Sequence, residues 1–177
     1  MAPMVEQLGP FRAIVWFAAN MPRYERTLRV LGPLRTHLVA VTVSLHNGCR
    51  YCTYGHAYAL ELVHLHERDV LFPIDAQTLA DWRELSPVEL RDRLRDLLQE
   101  AGLHREVLWV DRTLAMATGA QRPMDGDEAR IAHLVRMFGV LNAVGIAAQP
   151  EPDEAHDPLN KDVALKSRYS ELRAAVR

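Results

Sequence analysis

The sequence predicts an all-α protein folded as a single compact helical bundle. Apolar residues recur at helical spacing in most segments, capping signals precede several of them, and no segment sustains a strand alternation. At 177 residues the chain is long enough for one domain with a sizeable core and short for two. Hydrophobic residues make up 49% and charged ones 25%, ordinary proportions for a soluble globular protein. A formal net charge of -2 gives no reason to expect nucleic acid or an anionic membrane as a partner. No run of about 18 apolar residues indicates a transmembrane helix, and the first twelve residues do not read as a signal peptide. A cytoplasmic location is the expectation.

Residues 8–19 are mostly apolar (Phe11, Ile14, Val15, Trp16, Phe17) and read as a buried helix or a hydrophobic arm. Pro22 suits the first turn of a following helix that carries Tyr24, Leu28 and Leu31 and stops at Gly32-Pro33. From Leu34, the positions Leu34, Leu38, Val41 and Leu45 keep helical period. The β-branched run Val39-Ala40-Val41-Thr42-Val43 favours a strand locally, but length and period favour helix. Asn47-Gly48 is a helix stop, and a second helix is expected from about residues 49–51 to 68.

After Pro73 a short helix is expected over 76–82. Ser86-Pro87-Val88-Glu89 is a helix start with a serine cap, a proline at the first position and a capping-box glutamate. Leu90, Leu94, Leu97 and Leu98 supply its buried face. Further helices are expected over 106–118 and from Asp125 onward through Ile131, Leu134, Phe138 and Val144. Residues 1–148 therefore read as one helical domain. Residues 149–177 read as an acidic, proline-bearing linker followed by a helix over 162–175, whose thin apolar face (Val163, Leu165, Tyr169, Leu172) would pack on the domain or a neighbouring subunit.

Both cysteines lie in Asn47-Gly48-Cys49-Arg50-Tyr51-Cys52-Thr53-Tyr54-Gly55-His56. Two cysteines are too few for a disulfide framework, and a loop this short makes a weak structural staple. If a helix begins near Cys49, then Cys49, Cys52 and His56 share one face, because residues three and four apart are neighbours. A helix start and a Cys-x-x-Cys arrangement both favour a thiolate, and His56 can take a proton from Cys52. Cys49 is placed to resolve an oxidised Cys52 as a disulfide. Redox chemistry thus accounts for every residue of the stretch.

Two other readings stand beside it. Zinc binding would use Cys49, Cys52 and His56 with a fourth ligand from His37 or His46, although structural zinc sites usually bring two ligand pairs. The third reading is two buried cysteines on a core helix. His46 suits a helix C-terminus, only one of His64 and His66 should be buried, and His104, His133 and His156 have no evident partners in sequence. Tyr51 and Tyr54 read as packing residues, and Trp16, Trp82 and Trp109 as core or interface.

The pattern Asn-Gly-Cys-x-Tyr-Cys-x-x-x-His, preceded by an apolar helix ending in Ser44-Leu45-His46, resembles the AhpD-like alkylhydroperoxidase family of the carboxymuconolactone decarboxylase-like superfamily. The match spans residues 34–62. The resemblance implies an AhpD-like helical domain in which Cys52 attacks an organic hydroperoxide, Cys49 resolves it, and His56 belongs to a proton relay. It implies no metal, flavin or haem cofactor, re-reduction by an external dithiol, and a homo-oligomer. The family motif places a glutamate twelve residues before the first cysteine, where this chain has His37. A histidine can pass protons but does not supply the negative charge that makes a partner imidazole more basic. The relay so written requires His37, rather than an acid such as Glu61, to face His56. Rivals to a peroxidase are a disulfide reductase or redox sensor using the same cysteines, and a metal-binding or structural module.

Overall fold

The structure, a computed structural model, describes residues 2–176. Among the described residues there are nine α-helices and no strand: α1 (Ala2–Leu8), α2 (Pro10–Leu31), α3 (Pro33–His46), α4 (Arg50–Arg68), α5 (Ala76–Asp81), α6 (Pro87–Glu100), α7 (Val107–Ala117), α8 (Gly126–Ala148) and α9 (Val163–Val176). The all-α expectation is met.

Helix α3 is the axis of the molecule. Every residue from Thr36 to Leu45 is buried, with α4, α7 and α8 as its main neighbours. This burial on all sides decides the contest over residues 39–43. A helix satisfies its backbone groups internally, so tertiary packing overrides the β-branched preference. The hydroxyls of Thr36 and Thr42 bond back to the carbonyls of Gly32 and Leu38, each at 2.8 Å. The turn into α4 is made by Asn47 and Gly48, with Gly48 at φ 77°. Leu38, Leu45, Leu60, Leu94, Leu98, Ile131 and Leu134 fill the core between these helices.

The N-terminal expectation needs correction. Residues 10–31 form one unbroken helix with Pro22 inside it, rather than two segments divided there. A proline removes one hydrogen bond from a helix. Here Pro22 and Ala18, whose carbonyl loses its donor, are both exposed, so water replaces the lost partner. The apolar stretch before Pro22 is also less buried than expected: Phe11, Ile14 and Val15 face outward, while Ala13 is buried.

Helix α6 starts with the full capping box of Ser86 and Glu89, and Asp125 caps α8. Helix α8 is long and apolar enough to cross a membrane by length and composition. Its Ile131, Leu134, Met137 and Phe138 are buried in the protein core. Beyond α8 the chain runs without regular structure from residue 150 and then lies back on α4. The backbone N–H of His156 donates to the Gly55 carbonyl at 2.8 Å. Ala155 and Leu165 are buried against Ala59, Leu62 and Leu65 of α4.

Candidate active site

Helix α4 begins at the cysteines. Cys49 is its N-cap, in extended conformation, and its sulfur accepts the backbone N–H of Cys52 at 3.3 Å. Few residues other than Ser, Thr, Asp and Asn perform this duty, and here it fixes the sulfur at the positive end of the helix. Cys52 sits in the first turn, with its thiol 3.9 Å from the Leu141 carbonyl of α8. Both sulfurs lie against Gly145 of α8: a Cβ there would be 2.8 Å from the Cys49 sulfur and 3.0 Å from that of Cys52. Both cysteines are free thiols.

The two thiols do not ionise alike. The side-chain hydrogen bond from the Cys52 thiol, helped by the Cys52 backbone N–H, holds Cys49 below its ordinary value against the opposing effect of burial. Cys52 is pushed well above its ordinary value, first by giving that hydrogen bond and then by burial. The helix start therefore favours a thiolate on Cys49, while Cys52 keeps its proton. Only Cys52 opens onto a cavity. That cavity, of about 190 Å³, is lined by Cys52 and His56, by Met4, Phe17, Phe138, Leu141 and Val144 on its apolar side, and by Tyr51 and His156.

His37 faces the site. Its Nδ1 lies 3.1 Å from Nδ1 of His56, and its Nε2 lies 2.7 Å from Oδ2 of Asp157. His37 is wholly inaccessible and the Asp157 carboxylate is 7% exposed. Burial, aided by the nearby His156 and His37, holds His56 well below the usual imidazole value. Rings of Phe138 and His156 meet that of His56 edge-on, with centroids 4.7 and 4.9 Å away. Burial raises Asp157, but the hydrogen bond from His37, the Leu159 backbone N–H and the attraction of His37 outweigh it. The carboxyl ends below its ordinary value.

The structure therefore brings Cys49, Cys52, His56 and His37 together, and adds two residues that the sequence did not disclose. His156 and Asp157 come from the segment read as a linker. The available signal was Gly55, a glycine inside a helix, where it costs stability relative to alanine unless packing requires it. A Cβ there would lie 2.5 Å from atoms of the His156 ring.

Glu61 is elsewhere. Its carboxylate takes Arg173, the Tyr169 hydroxyl at 2.8 Å and the Ala76 N–H at 2.6 Å, away from the cysteines. Tyr51 lines the cavity, with its ring 5.1 Å from that of His156, whereas Tyr54 lines a separate groove with Tyr58 and Tyr169. His64 is buried and His66 exposed. Among the described residues, no three His, Cys, Asp or Glu side chains are grouped to hold a metal ion. No family model, curated protein sequence or solved structure matches the chain.

Proposed function

We propose that the protein is a thiol-dependent peroxidase that reduces organic hydroperoxides through a Cys49/Cys52 dithiol–disulfide cycle. The observation that carries the reading is that Cys52 alone of the two thiols opens onto the cavity, with His56 one turn away and the Cys49 sulfur beside it. The apolar lining suits the hydrocarbon part of a hydroperoxide. The resemblance of residues 34–62 to the AhpD-like family supports the same assignment.

His56, neutral at physiological pH, takes the proton that Cys52 retains. The Cys52 thiolate attacks the terminal peroxide oxygen: an S–O bond forms, the O–O bond breaks, and the alkoxide leaves as the alcohol with that proton. Cys49 then attacks the Cys52 sulfur. An S–S bond forms, the S–O bond breaks, and hydroxide leaves as water with a proton drawn from solvent, which replaces the one Cys49 lost on forming its thiolate. An external dithiol restores both thiols. The outward-facing Phe11, Ile14 and Val15 of α2 support self-association of the chain.

Stopped-flow oxidation of the reduced protein by cumene hydroperoxide tests the reading. Wild-type oxidation should exceed that of a free thiol by about 100-fold or more, with a mass loss of two hydrogens. Cys52→Ser should abolish the fast phase, and Cys49→Ser should gain one oxygen on Cys52. A wild-type rate no faster than free thiol sinks the peroxidase reading.

A further inference from the structure

The cysteine helix carries a base but no charge to direct it. We propose that Asp157 is a positioning residue that orients the His37–His56 pair, so that His56 presents a proton-accepting Nε2 to Cys52 and the proton it lifts comes to rest on His37. The role in turnover rests on the proposed function; the orientation of the histidines does not.

The carboxylate fixes each hydrogen along the line in turn. An ionised carboxylate only accepts, so in the 2.7 Å contact His37 must donate its Nε2–H to Asp157. A neutral His37 then has a bare Nδ1. The 3.1 Å contact between the two Nδ1 atoms needs one hydrogen, and only His56 is left to supply it. With its hydrogen on Nδ1, His56 has a lone pair on Nε2. A single carboxylate at one end thus fixes the protonation of both rings.

The same line moves charge. When Nε2 of His56 gains the Cys52 proton, its Nδ1–H can pass to Nδ1 of His37. This leaves a neutral His56 with an Nε2–H and an imidazolium on His37 beside Asp157. His56 is a poor place to keep the charge, being enclosed by Phe138 and by the His156 ring. His37 has the carboxylate. The proton returns by the same route to the departing alkoxide, so the line is restored with each attack.

The other groups around the line are few. Tyr24 comes from α2, Cys49 and Tyr51 from the start of α4, and Asp153, Glu154 and His156 from the C-terminal segment. The residues of α8 that line the cavity do not titrate. Asp153 and Asp157 form a matched pair for a test: two aspartates on one segment, of which Asp157 bonds His37.

The variant to make is Asp157→Asn in the full chain. The Leu159 N–H holds Oδ1 of Asp157 at 2.8 Å, so the new amide nitrogen would face His37 and donate to it. That reverses both rings and puts a hydrogen on Nε2 of His56. Two readouts need no hydroperoxide: ¹⁵N NMR of the imidazoles, and the rate of Cys52 alkylation by iodoacetamide across pH, followed on the Cys52 peptide. The expected result is a protonated His56 Nε2 and alkylation slowed about 10- to 100-fold at neutral pH. Asp157→Glu should recover part of the rate, and Asp153→Asn should keep it. An unprotonated Nε2 in Asp157→Asn overturns the proposal, and so does a slowing that Asp153→Asn reproduces. A protein that passes these tests and still ignores hydroperoxides would refute the peroxidase reading alone.

Discussion

At the scale of single residues, Gly55 admits the C-terminal segment to the site. The His156 ring occupies the space where any other side chain would begin, and its backbone N–H bonds the Gly55 carbonyl. Gly55→Ala should therefore push His156 off α4 and take Asp157 with it. Overpacking of this kind costs about 1–3 kcal/mol. Urea unfolding should show that loss, and Cys52 alkylation should slow in the same variant. A variant as stable and as reactive as wild type would mean that the segment is not seated through Gly55. The glycine inside α4 was visible in the sequence, but what occupies the space beside it was not. His37 and Asp157 are 120 positions apart, and no local period or spacing links them. The cysteines, His56 and His37 were legible because three of the four follow one another at spacings of three and four residues, and the fourth lies on the preceding helix. The ionisation order of the thiols was not, since it depends on which sulfur gives the hydrogen bond.

At the scale of elements, local signals served best where local chemistry decides. The Ser86–Glu89 box and the Asn47-Gly48 stop need only neighbouring residues, and both fell where the sequence put them. Pro22 misled because an exposed proline leaves its freed carbonyl to water, so α2 continues. Helix α9 shows an anchoring that sequence could not display. Its Arg173 reaches the buried Glu61 and also donates to the carbonyls of Phe72 and Ile74, at 2.7 and 2.8 Å. Burial pushes Glu61 up and outweighs the opposing pull of Arg173, Tyr169 and the Ala76 N–H, which leaves it at about 7. Arg173→Ala removes the cation and leaves the carboxylate enclosed, a change that costs roughly 3 kcal/mol or more. The loss should depend on pH. With a folded value above the unfolded one of about 4.3, the lone Glu61 binds its proton more tightly when folded. Without Arg173 that folded value lies above the wild type's, so the variant's stability goes on falling with rising pH after the wild type's has levelled off. Denaturant melts at pH 6 and pH 8, about one unit either side of Glu61, would show the larger deficit at the higher pH; an equal deficit would place the anchoring in packing rather than charge.

At the scale of the whole molecule, the fold keeps several imidazoles neutral, and this sets how it meets acid. His56, His64, His133 and His156 are all held below their ordinary value, with burial the largest cause at each. Above pH 6.5 these groups are neutral in both states and cost nothing. Below 6.5 the unfolded chain takes up protons that the folded chain refuses, so stability falls with pH. For His156 the window runs from 6.5 to about 4, beyond which both states are protonated and the loss stops growing. That interval corresponds to about 3 kcal/mol. Asp157 adds to the loss at still lower pH, since its pairing with His37 ends once the carboxyl is protonated. Glu61 runs the other way, because its raised value makes the folded state the better proton acceptor just below neutrality. A single pH profile mixes these effects, whereas a difference between two proteins isolates one. Unfolding free energies of wild type and His156→Gln, measured from pH 7 to pH 4, should diverge in slope. The variant should lose about 3 kcal/mol less over that range, even if it starts out less stable at pH 7. Parallel profiles would mean that His156 titrates as freely in the folded protein as in the unfolded chain, which its enclosure between Gly55, Tyr51 and His56 argues against.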